Sequence, residues 1–225
     1  MLTIEKTVLP SPEQWNIIIE GMRNPMNSWH RMDSGVGIVD QIDTDTVPVN
    51  VYDYVIGEND YGLMERLAKG GAVHAKFRRM IPVWVTINAP LYWWKEFDTY
   101  KVGTVCNSCS TMHKIHSKEL ELSDFSWERL NEGNIMLLEH IIDCLNEDRG
   151  HFVENGDKGD WWQLIQMLPT SYNQKRTVML NYEVLVNIYK WRRNHKLDEW
   201  HTFCNWIERL PYAELITGGA DNAKA

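Results

Sequence analysis

Residues 88–113 read NAPLYWWKEFDTYKVGTVCNSCSTMH, and this stretch decides the fold. Immediately upstream, Ile81, Val83, Val85 and Ile87 alternate with Pro82, Trp84 and Thr86. That period of two predicts a strand with one buried face, with Pro82 at its start or on a sheet edge because proline has no backbone donor. Asn88-Ala89-Pro90 turns the chain, and Leu91 to about Tyr100 is predicted as a helix. A Gly/Thr/Asn/Ser-rich segment follows. Free backbone N–H groups and hydroxyls suit a phosphate or a flavin edge, and they equally suit a capped helix end running into a solvated loop.

Working outward, Ser11-Pro12-Glu13-Gln14 is a helix start: Ser11 caps, Pro12 suits the first position and Gln14 completes a capping box. Trp15, Ile18, Ile19 and Met22 then share one face. Residues 23–58 read as irregular, with a strand at Pro48–Val55. Asp60–Lys69 is predicted as a helix stopped by Gly70-Gly71, and Trp127–Asn146 as a long helix with Leu130, Leu137, Leu138, Ile141 and Leu145 as its apolar stripe. Ser117–Phe125 is a polar connector and Arg149–Asp160 a surface loop. Trp161–Leu168, Asn181–Arg193 and Leu197–Leu210 are helices, and the small polar tail from Thr217 frays. Helices outnumber strands and no βαβ alternation occurs, so the fold class is α+β in a single domain, 1–225.

The composition is that of a globular chain, with 44% hydrophobic and 24% charged residues,. No apolar run reaches the ~20 residues that span a bilayer, and MLTIEKTVLP lacks the layout of a signal peptide. A cytoplasmic protein is expected. The net charge of −8 disfavours generic binding to duplex nucleic acid,. The four cysteines are expected as reduced thiols,. Eleven tryptophans serve as core and interface anchors or as stacking walls for a planar ligand,.

Two segments carry a resemblance. The first has Ala89-Pro90, a helix, Thr99-Tyr100-Lys101, Thr104, Asn107 and Ser110. The second, LPTSYNQKRTVMLNYEVLVNIYKWRR at 168–193, has Leu168-Pro169, Asn181, Asn187 and Arg192, followed by Trp200. In this order the chain resembles the flavin-dependent thymidylate synthases. Those proteins have an Ala-Pro strand end, a helix, an Arg-His-Arg motif with spaced Ser, Asn, Ser and Arg, and later a Leu-Pro, two Asn and an Arg. Here Thr99-Tyr100-Lys101 replaces Arg-His-Arg, Met112 stands at the last arginine, and Ile165 lies near the arginine that precedes Leu-Pro. Lysine keeps a cation but not the bidentate fork of arginine.

The resemblance implies a thymidylate synthase-complementing-protein-like fold, a small mostly antiparallel sheet packed with long helices. It implies reductive methylation of dUMP to dTMP with methylenetetrahydrofolate, FAD and NADPH, in a homotetramer. Carried over by position, Arg192 and Ser110 are the catalytic candidates. His74, Thr99, Tyr100, Lys101, Thr104, Asn107, Asn181 and Asn187 fall on the flavin, although Asn181 and Asn187 equally suit helix capping and interhelical hydrogen bonds. Lys101, Ser110, Arg192 and Arg193 fall on the pyrimidine deoxynucleotide, Arg193 as an alternative to Arg192. The replaced motif also admits a hydroxymethyl-type transfer to a pyrimidine deoxynucleotide, or nucleotide binding without catalysis.

Four other features compete. Cys106, Cys109, His113 and His116 have spacings open to a structural zinc, to a redox CxxC or to plain loop thiols, and no metal is assigned. Lys76-Phe77-Arg78-Arg79 is a solvated strand start or a phosphate or folate-tail contact. Ser28 sits in a plain turn or on a cofactor phosphate, and Trp93-Trp94 is expected in the core and at a subunit contact.

Overall fold

The computed structural model describes residues 1–42 and 49–218. The order of elements is β1 (Thr3–Val8), α1 (Pro12–Arg23), β2 (Gly35–Ile42), β3 (Val49–Val55), α2 (Glu58–Lys69), β4 (Pro82–Pro90), α3 (Leu91–Phe97), β5 (Val105–Ser108), α4 (Glu132–Asn155), α5 (Lys158–Met167), β6 (Asn173–Asn181), α6 (Tyr182–Arg192), α7 (Asp198–Ile207) and α8 (Glu214–Thr217). Four strands form a sheet in the order β1-β4-β6-β5, and β2 pairs antiparallel with β3. The fold is α+β, helices with a small antiparallel sheet. Pro82 is the first residue of β4, and Val83, Val85, Ile87 and Ala89 alternate into the core,.

The described chain divides into two compact units. The first comprises Met1–Lys6, Val85–Lys101 and Val105–Val178. Its α4 packs on α5, and Ile115, Leu120, Phe125, Leu138, Ile142, Leu145, Leu164 and Tyr172 form one apolar cluster. Trp93 and Trp94 of α3 are fully buried, and the Trp94 indole N–H donates to the Gln174 carbonyl at 2.8 Å. The amides of Leu91 and Tyr92 donate to the carbonyls of Tyr172 and Thr170, tying the start of α3 to the chain leading into β6.

The second unit comprises Thr7–Trp84, Val102–Thr104 and Met179–Ala225. The Ser11–Gln14 capping box is formed at both of its bonds, and α1 buries Trp15, Ile18, Ile19 and Met22. Arg23 at its end is also buried, and its Nε bonds Asp60 Oδ1 at 2.5 Å. Asp60 accepts further bonds from the backbone N–H groups of Asp33 and Ser34 and from the Ser34 hydroxyl. Burial pushes the Asp60 carboxyl up, but these bonds and the guanidinium outweigh it and hold its pKa below the usual value,. In the same unit α6 and α7 bury Leu185, Ile188, Trp200, Phe203 and Ile207.

Several expectations need correction. Residues 35–42 are a strand rather than irregular chain. Its Val36, Ile38 and Val39 are exposed, so the half-buried alternation that marks a strand is missing. The predicted strand at Pro48–Val55 is β3, with Pro48 outside the described residues, as is the tail from 219. The long helix starts at Glu132 and runs to Asn155, through half of the expected loop; Gly156, at φ +71°, ends it and Asp157 caps α5. Leu130 precedes the helix and Leu137 is 56% exposed, so the buried stripe is Leu138, Ile142 and Leu145. Lys76–Met80 is a 3-10 turn rather than a strand start. It buries Phe77 and Arg78, and Arg78 Nε pairs with Glu183 at 2.8 Å.

Candidate functional site

In the first unit, α3 ends at Phe97 and the chain enters the polar segment. The Thr99 hydroxyl donates to the Glu96 carbonyl at 2.7 Å, closing the helix end. Lys101 is exposed and Tyr100 is half-buried. β5 then lies at the sheet edge with Asn107 exposed on it. Cys109 is bound to β6 at both backbone groups: its N–H donates to the Lys175 carbonyl at 2.9 Å, and its carbonyl accepts from Gln174 Nε2 at 2.7 Å. Ser110 Oγ accepts from the N–H groups of Met112 and His113, at 3.3 and 2.8 Å, so this hydroxyl organises the turn that follows. Ile165 packs against the apolar cluster.

Sequence reasoning missed Arg176, the residue that organises this segment. Its Nη1 donates to Asp98 Oδ1 at 2.8 Å and toward Cys106 Sγ at 3.9 Å, and its Nε donates to Gln174 Oε1 at 2.8 Å. Its Cζ lies 4.3 Å from the Trp94 ring centroid, within cation–π range. The available signal was a lone arginine two positions from Gln174 on one face of a strand. Burial pushes the Cys106 thiol up, against the pull of Arg176. Cys106 and Cys109 are free thiols, and among the described residues no three His, Cys, Asp or Glu side chains gather as metal ligands. His116 instead lies edge-on to Phe152.

In the second unit, Val102–Thr104 meets the start of α6. Asn181 is the N-cap of α6, its Oδ1 accepting from the Val184 N–H at 3.1 Å. A side-chain acceptor there satisfies one of the unbonded amides of the first turn. Gly103 has φ +81° and lies against the Asn181 amide. The Thr104 hydroxyl oxygen is buried and has no hydrogen-bond partner in the protein. Asn187 is exposed one and a half turns along the helix. Arg192 places its Cζ 4.8 Å over the Trp200 ring, and Arg193 places its Cζ 5.8 Å over the Tyr189 ring. Only Arg193 of this pair lines the open pocket of about 580 Å³ at the end of α6, with His195, His201, Cys204 and Glu208. Burial raises the Cys204 thiol to about 12, so it stays protonated at neutral pH. The Tyr189 hydroxyl donates to Glu208 at 2.7 Å. His74 is exposed, its ring against Gly70. Ser28 is buried and accepts from Arg23, so it serves the Arg23–Asp60 network.

No protein-family model matches the sequence, and no curated protein is significantly similar to it. The fold is similar to solved structures of thymidylate synthase X from Helicobacter pylori. One, with FAD and dUMP, aligns at a TM-score of 0.62 and 16% identity, over 97% of this chain and 98% of that chain. A second structure of the flavin-dependent enzyme from the same organism, also complexed with FAD and dUMP, aligns at 0.61 and 17% identity, over 96% of each chain. At this identity the likeness establishes the fold.

Proposed function

We propose that this protein is a flavin-dependent thymidylate synthase-like enzyme that reductively methylates dUMP to dTMP. The observation that carries the reading is the agreement of fold over 97% of the chain with a structure crystallised with FAD and dUMP. The two motif-like segments, 88–113 and 168–193, carry the resemblance in the sequence. Methylenetetrahydrofolate is the one-carbon donor. FAD, when bound, supplies the hydride, and NADPH restores it. In this reading the protein works in the cytoplasm as a homotetramer.

The residues divide the work by chemistry. Lys101 neutralises phosphate as a point charge, and the Ser110 hydroxyl donates to the nucleotide while its oxygen holds the turn. Arg192, its guanidinium set over Trp200, holds and polarises the pyrimidine, with Arg193 as the alternative. The fit to the flavin nucleotide rests on Thr104, whose buried hydroxyl lacks a partner. A buried polar group without a partner costs about 1–3 kcal/mol, which a ligand oxygen recovers. Thr99, Tyr100, Lys101, Asn107, Asn187, His74 and the Asn181 amide hydrogens are the other groups assigned to that cofactor.

A second reading is nucleotide binding, with hydroxymethyl transfer or without catalysis. It is favoured by one observation: Thr99 and Asn181 spend hydrogen-bonding capacity on the fold itself, closing α3 and capping α6. Incubation of the protein with dUMP or dCMP, methylenetetrahydrofolate and NADPH, with and without FAD, separates the readings. The proposal expects dTMP from dUMP only when FAD is present. A hydroxymethylated product that forms without FAD supports the second reading and overturns the first.

A further inference from the structure

We infer that Arg176 is the positioning residue of the nucleotide-binding segment, acting through Asp98 and Cys106 rather than by touching the reaction. The inference rests on the proposed nucleotide reading. The segment from Asp98 to Ser110 holds a single cation, Lys101, and no arginine. It leaves α3, passes through the positive-φ turn at Gly103 and returns as a four-residue edge strand whose side chains are all exposed. Such a strand is weakly held by its own burial.

Arg176 supplies what burial does not. One amino group, Nη1, meets both ends of the excursion, Asp98 before it and Cys106 on its return. Nε is fixed by Gln174, whose own Nε2 donates to the Cys109 carbonyl, so a single chain of bonds runs from Asp98 to Cys109. The guanidinium carbon lies over Trp94, a side chain with no exposure that is itself bonded to the Gln174 carbonyl. The side chain of Arg176 is 14% exposed, so water competes little with these bonds,. The guanidinium meets Gln174 with Nε and Asp98 with Nη1, two nitrogens held apart in one plane, which the single nitrogen of an ammonium does not reproduce,. The clamp fixes the spacing between Lys101 and Ser110, the two groups assigned to the nucleotide.

The test uses Arg176→Gln, Arg176→Lys and Asp98→Asn in the full chain. Three quantities are read: dUMP affinity by calorimetry, melting temperature, and the rate at which Cys106 reacts with iodoacetamide relative to Cys109, by peptide mass spectrometry. Loss of a hydrogen bond to a charged group predicts about tenfold weaker dUMP binding in Arg176→Gln, and loss of the guanidinium that favours the Cys106 thiolate predicts slower Cys106 labelling,. Arg176→Lys gives no rescue. Asp98→Asn is milder, and the double variant is no worse than Arg176→Gln alone, because both act on one clamp. Asp98 is 49% exposed, so its variant tests the idea even if the arginine variants fold poorly. A lowered melting temperature with unchanged dUMP affinity and unchanged Cys106 labelling overturns the inference. Wild-type protein that does not bind dUMP, with slower Cys106 labelling in Arg176→Gln, leaves the clamp standing and overturns the nucleotide reading.

Discussion

Gly103 lies against the side-chain amide of Asn181, with a φ of +81°. A Cβ at this glycine would stand 3.0 Å from Asn181 Nδ2 and 3.1 Å from Val184 Cγ2. The contact joins the return of the polar segment to the cap of α6, and both partners are constrained: Gly103 by its backbone, Asn181 by its bond to Val184.

Gly103→Ala is therefore expected to lower stability by about 1–2 kcal/mol, from the left-handed backbone alone, with crowding added. Urea unfolding measures it. A midpoint equal to wild type would show that the turn relaxes freely and that the contact is incidental.

Asn181 separates a structural role from a ligand role. Asn181→Ala removes the cap and costs about 1 kcal/mol, whereas Asn181→Asp keeps an acceptor and stays close to wild type in stability. If the amide hydrogens serve the cofactor, Asn181→Asp weakens FAD binding at unchanged stability. Unchanged FAD affinity in this variant would confine the residue to capping.

Arg23 and Asp60 form the buried ionic centre of the second unit. Asp60→Ala leaves the guanidinium buried without its partner and is expected to cost about 3–5 kcal/mol. The carboxyl is held below its usual pKa, so its stabilisation is fully present above the unfolded-state value of about 3.9 and is lost as pH falls through the lower folded value,. Asp60→Asn should flatten the acid limb of a stability-versus-pH curve. A limb with the same slope in the variant would place the acid sensitivity elsewhere.

The phase of α4 is tested by neighbouring leucines. Leu138 is 5% exposed and Leu137 is 56% exposed. Leu138→Ala is expected to cost about 2–5 kcal/mol, and Leu137→Ala within about 0.5 kcal/mol. Equal losses would contradict the observed rotation of the helix.

Much of the framework was legible because local rules and tertiary burial agree there. The Ser11–Gln14 box, the alternation of Val83, Val85 and Ile87, and the burial of Trp93 and Trp94 follow from spacing and side-chain type. Where the two diverge, the sequence misleads. Gly150 and its charged neighbours read as loop, yet α4 continues until the positive-φ Gly156 stops it. Leu137 is apolar but faces outward, so an apolar count misplaces the stripe. Arg23 continues the buried face of α1 and looks polar only until Asp60, distant in sequence, is known to pair with it. The candidate site was legible by residue type but not by commitment. That Asn181 caps was one of its two sequence readings, whereas that Thr99 closes α3 and Ser110 organises its turn depends on hydrogen bonds that no spacing reveals. Arg176 was missed because Trp94, Asp98 and Cys106, which it meets, are distant from it in sequence.

The central claim is that the chain binds a flavin and a pyrimidine deoxynucleotide together. The direct measurement is a titration of the purified protein with FAD, followed by its absorbance near the flavin bands, and then with dUMP. The account predicts saturable FAD binding and a further spectral change on adding dUMP. A protein that leaves the FAD spectrum unaltered at every concentration, with no heat of binding for FAD, would contradict it.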